Sequence, residues 1–236
     1  MKLHVGTSGY SYKEWKGNFY PNDLPAKEML SYYSQRLPAV EINNTFYRLP
    51  QPGMIENWKT QVPAGFRFSI KASQRITHIK RINNVADETR YLLETVALLE
   101  ERLGVVLFQL PPNMKKDADR LRAFLDLLPN EIPAAFEFRH ETWFDDDVFG
   151  LLRAQNCALV VSDTDEKPLD EIISTAQWGY LRLRRTSYEE NDLIEWLQRV
   201  RTQEWNQAFI FFKHEDEGVG PKLAAQFIDL AASPER

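Results

Sequence analysis

Two glutamates and a set of basic residues recur at every second position near the ends of short apolar runs. Glu41, Asn43 and Thr45 step by two through VEINNT, and Ser69 and Lys71 do so through FSIK. Glu137 and Arg139 alternate in FEFR, and Arg182 and Arg184 in LRLR. Gln109, Asp163 and Lys213 close three further runs. Residues two apart on an extended chain share a face. The intervening Ile42, Ile70, Phe138, Leu183 and Phe212 are apolar, so each run has one polar and one apolar side. Carboxylates held near cations can move protons, and Arg or Lys can stabilise developing negative charge. Glu41, Glu137 and Lys71 are therefore the candidate catalytic groups. The competing reading is an ion network that merely plugs the interior. Stability alone is better served by Val, Ile and Leu, which favours a site.

Eight β-branched or aromatic runs would carry these residues: Leu3 to Val5, Val40 to Thr45, Phe66 to Lys71, Val105 to Gln109, Ala134 to Arg139, Ala158 to Asp163, Tyr180 to Arg184 and Ala208 to Lys213. Amphipathic stretches lie between them: Ala86 to Arg102, Asp117 to Leu128, Asp145 to Gln155, Glu189 to Gln203 and Pro221 to Leu230. Such alternation predicts a parallel sheet covered by helices, and eight repeats predict closure into an α/β fold of the (β/α)8 TIM type. The segment from Ser73 to Asp87 reads as a long basic loop. Only Pro168 to Gln177 joins strands six and seven, which predicts an irregular or short helix there. No linker or repeat divides the chain, so residues 1–236 are expected to form one domain. Barrel sites lie at the carboxyl ends of the strands, where the polar set falls.

The same end collects a substrate-binding set: Thr7, Ser8, Asn43, Tyr47, His78, Gln109, Arg139, His140, Trp143, Asp163, Arg182, Arg184 and Lys213. Thr7 and Ser8 belong to the turn Gly6-Thr7-Ser8-Gly9, whose amides could cradle an anion. Glu217-Gly218-Val219-Gly220-Pro221 follows the last run, with Pro221 expected at a first helical position. The basic residues favour an anionic ligand, and the acidic run Glu215, Asp216, Glu217 opposes it unless it points outward. Tyr10, Tyr12, Trp15, Phe46, Tyr47, Trp143, Phe144 and Tyr188 crowd the expected rim, mostly as packing groups. His140 with Glu137 and Asp163 offers mixed N/O metal donors, but no tight ligand spacing supports them. A divalent metal is not the favoured reading, and no organic cofactor motif is present.

The chain has 236 residues, 43% of them hydrophobic, one cysteine and a net charge of −5. A core of ordinary size can form without disulfides, and Cys157 cannot pair within the chain. The acidic balance argues against bulk, sequence-independent nucleic-acid binding, so nucleic acid is not the favoured partner. No window is apolar enough to cross a bilayer, and the start reads as a strand rather than a signal peptide. A cytoplasmic protein without a membrane partner, monomeric or a small homo-oligomer, is expected.

Taken together, several motifs resemble the DUF72 family, also called YecE-like. They are Gly6-Thr7-Ser8-Gly9-Tyr10, Tyr20-Pro21, Val40 to Tyr47, Phe68 to Ala72, Ile76-Thr77-His78, Leu107 to Pro112, Glu137-Phe138-Arg139-His140 with Trp143, and Tyr180-Leu181-Arg182. The resemblance spans most of the chain and implies a TIM barrel, but the family has no settled activity. One departure stands out. The family commonly ends strand eight with two asparagines and has a later Asn-Ala; here the equivalents are Lys213-His214 and Leu223-Ala224.

Three functions fit these residues. The first is an enzyme acting on a phosphorylated or otherwise anionic small molecule or nucleic-acid end, with Glu41 or Glu137 as acid or base. Endonuclease-IV-like and xylose-isomerase-like barrels are similar in outline, but they use metals and more histidines and carboxylates. A glycosidase is a weaker second reading. The third is a non-catalytic barrel that binds an anion. Whether the glutamates stay free to titrate, or are locked between cations, separates enzyme from binder.

Overall fold

A computed structural model describes residues 1–166, 171–214 and 217–233. Its strands are β1 (Lys2–Ser8), β2 (Ala39–Ile42), β3 (Arg67–Lys71), β4 (Leu103–Gln109), β5 (Ala134–Glu137), β6 (Ala158–Leu159), β7 (Val161–Asp163), β8 (Trp178–Leu183) and β9 (Gln207–Phe212). All pairs are parallel, in the order β6-β5-β4-β3-β2-β1-β9-β8-β7. β6 and β7 are two halves of the single sixth run, broken at Val160. The first half pairs with β5 and the second with β8. The two ends of the sheet therefore meet on consecutive residues, and the barrel closes through the chain itself.

Apolar side chains fill both sides of this sheet, as a helix-covered parallel barrel requires. Ala39, Val105, Leu107, Ala135, Ala158, Val160, Trp178, Tyr180, Phe209 and Phe211 form the inner cluster. A second and larger cluster lies between the strands and the helices. At the amino end of the barrel, His4 stacks on Phe209 at 4.7 Å and bonds Gln207. Burial holds its pKa down to about 4, so it sits there as a neutral ring. Gly6 allows β1 and β2 to approach: any Cβ there would strike Ala39 O.

The helices are α1 (Met29–Ser34), α2 (Pro52–Gln61), α3 (Ala86–Ala97), α4 (Ala118–Leu125), α5 (Asp146–Ala154), α6 (Glu190–Arg201) and α7 (Val219–Ala232). Asp117 and Asp145 cap α4 and α5 by accepting from Arg120 N and Asp147 N, and Asp192 reaches back to Glu189 N at α6. Both α1 and α2 fall outside the expected helices. Tyr33 on α1 ties it to the barrel, its hydroxyl donating to Ala39 O at 2.8 Å and accepting from Thr7 N at 2.9 Å.

Several boundaries differ from expectation. β2, β5, β8 and β9 end at Ile42, Glu137, Leu183 and Phe212, so Asn43, Thr45, Arg139, Arg184 and Lys213 belong to the loops. The basic segment after β3 contains a π-helical turn, Arg75–Ile79. Pro221 is the third residue of α7, not its first. Residues 171–177 carry no helix, while the start of that connection at Pro168 lies outside the described residues, as do Glu215 and Asp216. No described helix is long and apolar enough to cross a membrane.

Candidate functional site

The polar positions of β2, β5 and β8 converge inside the barrel at the carboxyl ends. Arg182 stands between the two glutamates, with Nη2 2.8 Å from Glu41 Oε1 and Nη1 2.6 Å from Glu137 Oε2. Arg184, one turn of the pleat further on, donates to Glu137 Oε1 at 3.2 Å and to Ser162 Oγ at 2.6 Å. Further donors complete the two carboxylates. Glu41 accepts from Ser8 Oγ at 2.7 Å, Asn43 Nδ2 at 3.0 Å and Tyr180 Oη at 2.7 Å. Glu137 accepts from Gln109 Nε2 at 2.8 Å. Tyr180 also shares a hydrogen bond with Ser69 Oγ at 2.6 Å.

This ring is sealed from water, with Glu41, Glu137 and Arg182 all buried. Burial alone would push both carboxyls up. The Arg182 charge reverses this: with the Ser8 and Tyr180 hydrogen bonds it takes Glu41 down to about 2, and with Arg184 and Gln109 it holds Glu137 below the usual range. Arg182, desolvated but flanked by two carboxylates, is held above its ordinary value. Both glutamates are ionised and fully hydrogen-bonded at neutral pH, so neither is suited to donate a proton.

Lys71, the last residue of β3, differs from its neighbours. Its Nζ lies 4.4 Å from the centroid of the Phe46 ring, and no hydrogen bond or ion pair to it is present among the described residues. Burial and the Arg182 charge outweigh the attraction of Glu41 and Glu137, and its pKa falls to about 8. His78 meets the same Phe46 ring edge-on at 4.8 Å, with Nδ1 2.9 Å from Thr77 Oγ1. Burial, Lys71, Arg139 and Arg81 all hold this histidine below its ordinary pKa.

Outside the ring, an open hollow of about 640 Å³ is lined by Arg139, Arg184, Arg185, Lys213 and His214, with Asp165 and Glu166. Asp165 is occupied by Thr186, accepting from its amide at 2.9 Å and its hydroxyl at 2.6 Å. Among the described residues of the ring, the hollow and their surroundings, Lys71, Arg139, Arg182, Arg184, Arg185 and Lys213 outnumber Glu41, Glu137, Asp165 and Glu166.

The structure brings Ser8, Glu41, Asn43, Gln109, Glu137, Arg182 and Arg184 into direct contact, with Lys71, His78, Arg139 and Lys213 at the mouth. It does not bring the others there. Asp163 points outward, 3.1 Å from Trp196 Nε1 on α6, 2.9 Å from Tyr188 Oη and 2.8 Å from Arg185 Nε. The inward residue of β7 is Ser162, which continues the alternation of Ala158 and Val160 in the inner cluster, while Asp163 falls with Leu159 and Val161 on the helix side. Thr7 also faces the helices, its hydroxyl bonding Gly9 O and Tyr33 Oη. Trp143 is fully buried, stacked on Phe138 at 4.7 Å, with Nε1 donating to Met114 O. His140 accepts from Thr142 N in its own loop, and Tyr47 is 75% exposed. Glu137, His140 and Asp163 do not converge on a metal, and no group of three His, Cys, Asp or Glu among the described residues is placed to hold one.

Ser162 and Tyr180 also belong to the ring, beside the Ser69 already read on the polar face with Lys71. Tyr180 sits two before Arg182 on that face, which is the signal that would have found it.

A family model described as "Protein of unknown function DUF72" matches residues 4–236. UPF0759 protein YunF of Bacillus subtilis is 28% identical over 150 residues, covering 60% of this chain and 52% of that protein. UPF0759 protein YecE of Escherichia coli K12 is 32% identical over 143 residues, covering 60% and 50%. The matched stretch thus spans about half the length of these curated relatives. A DUF72 family crystal structure from Thermotoga maritima superposes with a TM-score of 0.83 at 25% identity, covering 99% of this chain and 100% of that one. One from Enterococcus faecalis gives 0.81 at 18% identity, covering 99% and 97%, and shares the fold.

Proposed function

The chain belongs to the DUF72 family, and we propose that the mouth of its barrel receives a small anionic molecule, phosphorylated or carboxylated, on which it acts as an enzyme. The observation that carries this reading is the surplus of cations over carboxylates among the described residues at the mouth, with the two glutamates already satisfied by internal donors. Arg139, Arg184 and Lys213 would grip the anion. Arg182, Glu41 and Glu137 would keep those groups in position.

Acid–base chemistry by Glu41 or Glu137 is the weaker version of this reading, because both are held ionised below the pH at which a general acid works. The same argument weighs against a glycosidase, which needs one carboxyl group protonated. Nucleic acid is less favoured than a small molecule: the cations cluster in one hollow of a chain whose net charge is −5, instead of forming an extended basic face.

Thermal unfolding with inorganic phosphate tests the proposal, at constant ionic strength against chloride. A ligand at tenfold its Kd stabilises by about 1.4 kcal/mol. Phosphate should raise the Tm of the parent chain and leave that of an Arg139→Ala/Lys213→Ala double variant nearly unmoved. An equal rise in both, or no rise in either, overturns it.

A further inference from the structure

We propose that Lys71 is the covalent centre of this site, its amine condensing with the carbonyl carbon of a small aldehyde or ketone that also carries a carboxylate or phosphate. This deepens the anion-binding reading above and rests on it.

The placement is what singles the residue out. Lys71 ends β3 on the inward face, two residues beyond Ser69 and in register with Leu107 of the inner cluster. Its amine therefore lies at the carboxyl end of the barrel, within reach of the charges of Arg182 and Lys213. The carboxylates whose charges reach it, Glu41 and Glu137, have their oxygens engaged by Ser8, Asn43, Tyr180, Arg182, Arg184 and Gln109. The face of Phe46 covers one side of the amine instead. Lys71 is half-buried, and its amine is bonded to neither carboxylate.

The environment also supplies the neutral amine that the attack requires. The charged groups felt by Lys71 are Arg182, Lys213, Glu41 and Glu137, and it in turn acts on His78. Desolvation and Arg182 bring the ammonium to a pKa of about 8, so roughly a tenth of the molecules carry a free amine at pH 7, against fewer than about one in a thousand for an ordinary lysine. Desolvation and neighbouring cations are recognised means of activating such a nucleophile.

The chemistry balances without an oxidant or a metal. The nitrogen lone pair forms a C–N bond, and the carbonyl π pair moves to oxygen, which gains a proton as nitrogen loses one. The carbinolamine then expels its oxygen as water, leaving an imine that is protonated at nitrogen. His78, neutral and packed on the same Phe46 ring, is the group placed to carry these protons. The anionic end of the substrate would lie toward Arg139, which is close enough to act on both His78 and Arg184.

Reductive trapping reads this directly. The full chain is incubated at pH 7.5 with glyoxylate, pyruvate or glyceraldehyde 3-phosphate and sodium cyanoborohydride, with acetone as the uncharged control. Expected is one adduct, equal to the probe less water plus two hydrogens, mapped to Lys71 by peptide mass spectrometry. It should be at least tenfold slower with acetone, slowed by inorganic phosphate, and absent from Lys71→Arg and Lys71→Met variants that still unfold cooperatively. If phosphate raises the Tm but none of the probes labels Lys71 ahead of the surface lysines, the covalent proposal is overturned and anion binding survives. If Lys71 labels equally with acetone and phosphate gives no protection, the amine is reactive but the anionic substrate class is wrong.

Discussion

Arg182 Nη2 lies 2.8 Å from Glu41 Oε1, with the two side chains 3% and 0% exposed. The same guanidinium reaches Glu137, so one cation neutralises two buried anions and Arg184 completes the second pair. Removing one partner of a buried pair costs far more than replacing the whole cluster, because the orphaned charge stays desolvated. Arg182→Met should therefore lose about 3–5 kcal/mol in urea unfolding. Adding Glu41→Gln and Glu137→Gln should return most of that loss. A single variant within about 1 kcal/mol of the parent would mean the carboxylates find water, and the ring is not sealed.

Acid should dismantle the same ring. The Glu41 pKa is about 2 in the folded chain against an ordinary 4.5, so the folded state binds this proton less readily than the unfolded one. The resulting stability is present in full above about pH 5 and is lost as pH falls toward 2. Unfolding free energies measured between pH 6 and pH 3 should fall more steeply for the parent than for Glu41→Gln. Parallel curves would show that Glu41 titrates normally.

Much of this ring is legible in the sequence because period two is a strict rule. Once Glu41, Glu137 and Arg182 are read as strand residues flanked by Ile42, Phe138 and Leu183, their common face follows. The rule holds even across the break at Val160: Ala158, Val160 and Ser162 face in, and Asp163 turns outward with Leu159 and Val161. Asp163 is misplaced only when its charge and its position at the end of the run are given more weight than its spacing. Spacing cannot tell a locked charge from an unlocked one. Glu41 and Lys71 look equivalent in sequence; only the positions of Ser8, Asn43, Tyr180 and Arg182 around one, and Phe46 beside the other, distinguish them. Helices α1 and α2 escaped notice for a different reason. Their apolar faces are short, and α1 is only six residues long, so packing by Tyr33 and its neighbours, not periodicity, defines it.

The outward turn of Asp163 has its own consequence. This carboxylate joins β7 to α6 by accepting from Trp196 Nε1 and Tyr188 Oη and pairing with Arg185. Asp163→Ala leaves two buried donors unpaired, at about 1–3 kcal/mol each. The variant should be clearly destabilised in urea, yet shift its Tm with phosphate by as much as the parent. Loss of the phosphate response at unchanged stability would return Asp163 to the binding site.

Lys71 should reveal its burial through stability at high pH. Its folded pKa of about 8 lies below the ordinary 10.5, opposite in sense to an ion-paired lysine. Below about pH 8 both states hold the proton, and the folded chain bears the cost of an ammonium that no carboxylate receives. Between about 8 and 10.5 the folded amine is neutral while the unfolded chain still binds the proton. The unfolded state then carries more protons, so this residue makes stability rise with pH through that window. Lys71→Met has no such proton. The stability of the parent relative to Lys71→Met should therefore increase between pH 7.5 and pH 10 in urea unfolding, even if both chains weaken as other groups titrate. A difference that stays constant would put the amine in water, and a difference that shrinks would put it in an ion pair. Either result removes the physical basis for a nucleophilic lysine at this position.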